Sequence, residues 1–339
     1  METRFAKQQK FYPIGAAGQE KLATSTVAII GCGALGSAAA DTLARAGVGR
    51  LLLVDRDYVE WSNLHRQPLY TEHDAQEMMP KVEAAKRRLS RVNSAVQVDT
   101  WMDHADAALI EELARKSDLL LDGTDNFETR LILNEASLKH HIPWVYGACV
   151  GATSVVMPFV PEAGPCFRCL LPVLPSSADT CDTAGVIAPA VHITAAFQCA
   201  EAIKWLTGNR QAMRTELLRI DSWTNEQHSF GLSKMKRRDC PACSDTRVYP
   251  ALKQSDETKA AVLCGRDTVQ LTPGAGRTLT VADGEAAAKR HGLPAKRTPY
   301  FLQVQMPESR VVLFENGRLF FHGVSDNKQA MKLYNQLFS

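Results

Sequence analysis

With 339 residues, 45% of them hydrophobic and 22% charged, the chain has an ordinary folded-protein composition and room for one large domain and one small one. A net charge of +2 with no clustered basic face excludes the electrostatic footprint of a nucleic-acid binder. No apolar run approaches the roughly 18 residues of a membrane span, and "METRFAKQQK" lacks the apolar centre of a secretory leader, so no membrane is expected and the cytoplasm is the expected location.

Residues 26–30, "TVAII", read as a short buried strand running into "GCGALG" at 31–36. A helical stretch follows, then strand "LLLVD" at 51–55. Helix 81–93, strand 95–102, helix 106–117, a strand running into an acidic loop over 118–126, helix 127–141 and strand 143–150 continue the alternation. Such alternation argues for a mainly parallel sheet covered on both faces. From Pro161 to Asp182 the chain is loop-like, and 188–208 reads as an apolar helix opened near Pro189 and stopped by Gly208. Residues 1–245 are expected to form one domain, 246–260 a linker, and 261–339 a small α/β domain. In the last of these, Asn316-Gly317 between two apolar runs signals a hairpin, and a closing helix takes Ser325 or Asp326 as its N-cap.

Gly31, Gly33 and Gly36 fit G-x-G-x-x-G, and Asp55 follows 19 residues after Gly36, where a carboxylate can hold ribose hydroxyls. This much suits a dinucleotide as well as ATP, and a nicotinamide-dependent oxidoreductase is the remote alternative. The cations decide. Arg66 and Lys81 follow the second strand, among Ser62, Asn63 and Gln67, and a departing pyrophosphate needs fixed positive charge. Asp125, in "LDGTDN", stands where Mg²⁺ can be held against phosphate. Asp122 reads equally as a second acid or as a turn residue, and Arg130 as a phosphate contact or as a structural partner for Glu128 or Asp125.

Nine cysteines in a reducing compartment point to metal or catalysis more than to disulfides. Cys166-x-x-Cys169 and Cys240-x-x-Cys243, with 70 residues between the pairs, offer four thiolates to one structural Zn²⁺ with no open position. Cys32, Cys149, Cys199 and Cys264 read as packing residues.

The ordered set "RFAKQ", "GCGALG", "DRDYVEWSNLHRQ", "PKVEAAKRRL", "LDGTDNFETR", "PCFRC", "TCDTAG" and "CPAC" resembles the bacterial sulfur-carrier adenylyltransferases MoeB and ThiF, relatives of the ubiquitin-activating enzymes, over about residues 4–245. The resemblance implies an α/β, Rossmann-like, mainly parallel sheet with a structural zinc site. It implies that Mg-ATP and the C-terminal glycine carboxylate of a β-grasp sulfur carrier ending in Gly-Gly give an acyl-adenylate and pyrophosphate. By matching positions, Gly33, Ala34, Asp55, Ser62, Asn63, Leu64, Arg66, Gln67, Lys81, Asp125 and Asn126 are expected at ATP or its metal. The carrier expected first is the molybdopterin synthase small subunit, with the thiamin thiazole carrier as the alternative.

Two departures stand out: Ala34 where many relatives carry a further glycine, and Lys7 where they carry a second arginine. In the family this arm crosses to a partner subunit and offers its cation to the phosphates, so a homodimer is expected, as it is from the apolar helix 190–206. Lysine keeps the charge but loses the planar fork, and a weaker contact is expected. Some relatives link a cysteine at the position of Cys181 covalently to the carrier. A sulfur-transfer role for Cys181, with a donor such as a cysteine desulfurase, stands beside a loop cysteine of no function, since flanking Asp182 opposes thiolate formation. The C-terminal unit resembles extensions on some Gram-positive members.

Overall fold

The structure is a computed structural model that describes residues 4–171, 184–253, 260–262, 268–271 and 279–338. The chain divides into two compact units, Met1–Gln254 and Ser255–Ser339. In the first, β1 (Thr26–Ile30), β2 (Arg50–Val54), β3 (Gln97–Trp101), β4 (Leu119–Asp122), β5 (Trp144–Val150), β6 (Thr153–Phe159), β7 (Glu216–Asp221) and β8 (Glu226–Gly231) form one sheet of order β3-β2-β1-β4-β5-β6-β7-β8. The first five are mutually parallel, and β6, β7 and β8 add on antiparallel.

The central strands β1, β2 and β4 carry continuous apolar runs, 27–30, 51–54 and 119–121, because both faces are covered. Val27, Ile29, Leu51, Leu53, Leu119 and Leu121 enter one core with helices Ala34–Ala46, Lys81–Val92 and Ala188–Thr207. Their neighbours Ala28, Ile30, Leu52, Val54 and Leu120 enter the other with helices Ala107–Lys116 and Phe127–His140. The expected doubly covered parallel sheet is therefore present. Its strand order reverses between β1 and β4, and the crevice beyond the carboxyl ends of those strands is where such sheets bind ligands.

The strand expected to run into an acidic loop within 118–126 does so, with the boundary at Asp122 and the loop carrying Asp125. Three sequence expectations need correction or extension. β6, β7 and β8 have no counterpart among the expected strands: β6 contains Pro158, and β8, "EQHSFG", is exposed throughout and has no apolar alternation to betray it. Helix Ala188–Thr207 begins and ends as expected, with Gly208 left-handed at φ 86°, but Ala190, Val191, Ala195, Cys199, Ala202 and Leu206 are buried in the chain's own core. Its apolar character is thus no argument for a dimer. Residues 250–253, expected to be linker, form a turn of 3-10 helix in which Ala251 is buried and donates its N–H to Glu135 Oε2 at 2.6 Å.

In the second unit, β9 (Ala260–Val262), β10 (Thr268–Leu271), β11 (Ala295–Arg297), β12 (Phe301–Gln305), β13 (Arg310–Phe314) and β14 (Leu319–His322) pair antiparallel in the order β11-β12-β13-β14-β10-β9. The Asn316-Gly317 hairpin joins β13 and β14, with Gly317 at φ 82°. Val311, Leu313, Leu319 and Phe321 pack with Ala287, Ala288, Ala330 and Leu337 of helices Val281–Arg290 and Asn327–Phe338. Asp326 Oδ1 accepts the Gln329 N–H at 2.9 Å, which makes Asp326 the cap. Among the described residues no helix is long and apolar enough to cross a membrane.

Candidate functional site

At the end of β1 the chain turns sharply. Gly31 has φ 92°, and a Cβ there would lie 2.5 Å from the Gly123 carbonyl oxygen; one on Gly36 would lie 1.8 Å from the Gly31 oxygen. Glycine is required at both points, because the turn is pressed against the loop leaving β4. Gly33 differs. It caps helix Ala34–Ala46, and a Cβ on it would meet nothing nearer than Gln67 Nε2 at 4.0 Å. The open side of Gly33 thus faces away from packing, at a helix N-terminus whose amides and dipole favour anions. Beside it Gln67 is 3% exposed and its Oε1 accepts no hydrogen bond, a buried acceptor placed for a ligand donor.

Asp55 closes β2 against this turn. Its Oδ2 accepts the Cys32 N–H at 2.7 Å and its Oδ1 the Asp57 N–H at 2.8 Å. A carboxylate has about four lone-pair sites, so capacity remains for ribose hydroxyls. Burial pushes the Asp55 carboxyl above its ordinary range, against the opposing pull of Lys81. The buried Tyr70 hydroxyl donates to the Cys32 carbonyl at 2.6 Å and holds the same turn from behind.

Lys81 opens helix Lys81–Val92 directly after Pro80, and its side chain is 4% exposed. Its Nζ lies 3.1 Å from Asp57 Oδ2 and its backbone N–H donates to the Asp57 carbonyl at 2.9 Å. Asp57 is a partner of Lys81 that the sequence reading missed, although "DRD" displayed it. In the loop between, Asn63 Oδ1 accepts the Glu60 N–H at 3.2 Å, and Arg66 Nη1 donates to the Ser62 carbonyl at 2.8 Å. Leu64 and Arg66 are half-buried and Ser62 is exposed.

Beyond β4, Asp125 is exposed, touched by Asn126 Nδ2 at 3.4 Å, while Asn126 Oδ1 caps helix Phe127–His140 through the Thr129 N–H at 2.8 Å. Asp122 is fully buried and pairs with Arg130 Nε at 2.9 Å. Of the two readings the sequence offered, a phosphate contact or a structural ion pair, the structure shows an ion pair, with Asp122 and not with Glu128 or Asp125. Burial lowers the Arg130 affinity for its proton, but Asp122 outweighs it and the guanidinium stays charged.

The glycine turn, Asp55, Gln67, Lys81 and Asp125 thus follow the carboxyl ends of β1, β2 and β4. Lys7 does not join them in its own chain. Gln8, beside it, donates to the Ala46 carbonyl at 2.8 Å, and Phe5 abuts Gly47. These contacts lie at the far end of helix Ala34–Ala46, about 20 Å from Gly33 at about 1.5 Å per residue. Cys181 and Cys264 lie outside the described residues.

The four cysteines Cys166, Cys169, Cys240 and Cys243 bring their sulfurs within 4.8 Å of one another. Sγ–Sγ distances of 3.9, 3.7 and 3.5 Å for 166–169, 166–240 and 169–243 match the edge of about 3.8 Å expected of a tetrahedron with Zn–S bonds of about 2.3 Å. All four thiols are free, not disulfide-bonded. Burial raises the Cys240 thiol, but the backbone N–H groups of Ala242 and Cys243 hold it below its ordinary value. The donor set fits zinc, and four thiolates would leave such an ion no open position. Metal analysis is expected to give one zinc per chain, and Cys240→Ser to lose the metal and melt about 5–10 °C lower; full zinc content in the variant would refute the assignment.

A sequence model of the ThiF family matches residues 5–242. The chain is 44% identical over 339 residues to the sulfur carrier protein ThiS adenylyltransferase of Bacillus subtilis (strain 168), covering 99% of each chain. It is 37% identical over 227 residues to the molybdopterin-synthase adenylyltransferase of Escherichia coli (strain K12), covering 67% of this chain and 90% of that one. Among solved structures, E. coli MccB with ATP superposes with a TM-score of 0.61 at 23% identity, covering 72% of this chain and 75% of that one, a likeness of fold.

Proposed function

The chain belongs to the ThiF family, and from that premise we propose that it is an ATP-dependent adenylyltransferase acting on the C-terminal carboxylate of a sulfur carrier of the ThiS type. The observation that carries the reaction class is the buried Lys81–Asp57 pair behind a glycine turn whose Gly33 side is open. A dinucleotide cofactor would use the same glycine turn and ribose acid, but the family match and the relatives named as adenylyltransferases favour adenylylation over hydride transfer. For the carrier, the match to the ThiS adenylyltransferase runs through both units, whereas the match to the molybdopterin-synthase enzyme covers 67% of the chain. The thiazole-type carrier therefore replaces the molybdopterin carrier as the favoured substrate.

The chemistry follows from charge. A terminal carboxylate has a pKa of about 3.5 and is ionised at neutral pH, so no general base is needed. The barrier is one anion approaching another and the orientation of attack. The helix N-terminus at Gly33 takes phosphate through its amides, Asp55 and Gln67 hold the nucleoside, and Lys81 and Arg66 supply positive charge where pyrophosphate departs. Asp125, an exposed carboxylate at the same end of the sheet, is the residue that would hold magnesium, which when bound neutralises phosphate charge. Asn126 sets the start of the helix behind it. Lys7 of a second copy, a homodimer, and a sulfur donor acting at Cys181 are parts of the same proposal.

Purified protein with Mg-ATP and labelled pyrophosphate tests the carrier directly. The ThiS-type carrier is expected to support exchange at least about tenfold faster than the molybdopterin carrier, a difference of about 1.4 kcal/mol. Equal rates, or faster exchange with the molybdopterin carrier, would overturn the assignment.

A further inference from the structure

We infer that Arg130 is a positioning residue, which presents Asp125 to the divalent cation of ATP; this rests on reading the site as one for ATP and magnesium. β4 and β5 pair only through Leu120 with Trp144 and Leu121 with Val145. Beyond that the two strands need other partners for their carbonyls. Two side chains supply them from opposite faces of the sheet. From helix Ala188–Thr207, Gln198 Nε2 donates to the Asp122 carbonyl at 2.7 Å and the Val145 carbonyl at 3.2 Å. From helix Phe127–His140, Arg130 donates Nε to Asp122 Oδ2 at 2.9 Å, and Nη2 to the Thr124 carbonyl at 2.8 Å and the Gly147 carbonyl at 3.2 Å.

The guanidinium is also packed over the rings of Tyr146 and Phe127, at 5.0 and 5.7 Å from their centroids. With 7% of its side chain exposed it has no freedom to follow a phosphate. Its action is on the loop. Asp122 Oδ1 accepts the N–H and hydroxyl of Thr124, at 2.9 and 2.7 Å, while Arg130 grips the other side of Asp122 and the Thr124 carbonyl. Asp125 is the next residue, and Asn126 then caps the helix that returns Arg130 to Asp122. The segment is thus closed on itself by one buried, charge-assisted pair, with Asp125 on its outer side. A displacement of about 1 Å at a catalytic group costs up to a hundredfold.

The test is Mn²⁺ binding, read by the loss of its free EPR signal, in the presence of a non-hydrolysable ATP analogue. Arg130→Lys keeps the charge but not the fork. It is expected to weaken Mn²⁺ binding about tenfold, leaving binding of the analogue without divalent cation unchanged. Asp125→Ala is expected to weaken Mn²⁺ comparably, and the double variant to be no weaker than Asp125→Ala alone within twofold, since Arg130 acts through Asp125. Thr124→Val, which removes only the hydroxyl bond to Asp122, gives about threefold and answers the question should Arg130→Lys not fold. Wild-type Mn²⁺ affinity in Arg130→Lys and Thr124→Val, or additive losses in the double variant, would overturn the inference. Absence of analogue-dependent Mn²⁺ binding by the wild type would instead overturn the reading of the site, and this inference with it.

Discussion

Lys81→Ala is expected to lower carrier-dependent pyrophosphate exchange about a thousandfold, the scale of removing one fixed charge from a site that stabilises developing negative charge. It is also expected to destabilise the protein. Lys81 is 4% exposed and its partner Asp57 19%, so truncation leaves an acid in poor solvent without its cation. Breaking such a pair costs about 3 kcal/mol, and a domain of this size then melts about 6–12 °C lower. Lys81→Arg separates the effects: charge survives, but a longer planar group cannot sit at 3.1 Å from Asp57 in the same space, so stability returns more fully than rate. Thermal melting beside exchange kinetics gives both numbers. Normal exchange in a folded Lys81→Ala protein would remove Lys81 from the chemistry.

Asp125→Ala is expected to cost about a hundredfold or more in exchange with almost no change in melting temperature. Asp125 is exposed and its described hydrogen bond, from Asn126 at 3.4 Å, is long, so little folding energy rests on it. Raising magnesium is expected to recover part of the lost rate, because the defect lies in holding the metal. The pairing of a large kinetic effect with intact stability distinguishes Asp125 from Asp122. Asp122 is buried against Arg130 and Thr124, and its loss should unfold before it slows.

The glycine turn, Asp55 and the two Cys-x-x-Cys pairs were legible in the sequence because each depends on local spacing. Backbone curvature needs Gly31 and Gly36 where they are, and sulfurs two residues apart converge on one ion whatever lies between the pairs. Partnerships across the fold were not legible. Arg130 has acids close by in the chain, yet its ion pair is with Asp122, because the turn after β4 folds the helix back onto the strand end. Lys81 and Asp57 are 24 residues apart and meet only because the intervening loop returns. The apolar helix Ala188–Thr207 carried no sign of which surface it would cover, since composition does not distinguish the chain's own core from a partner. β8 left no trace, because an exposed edge strand is under no demand to alternate.

The claim on which the rest depends is that this site joins a carrier's terminal carboxylate to the nucleotide's α-phosphate. Intact-mass measurement of a ThiS-type carrier, after incubation with the protein and Mg-ATP, tests it most directly. The expected result is a carrier heavier by one adenylyl group (AMP less water), formed with release of pyrophosphate and formed about a hundredfold more slowly with Asp125→Ala. A carrier of unchanged mass, alongside ATP hydrolysed to ADP and phosphate, would contradict it.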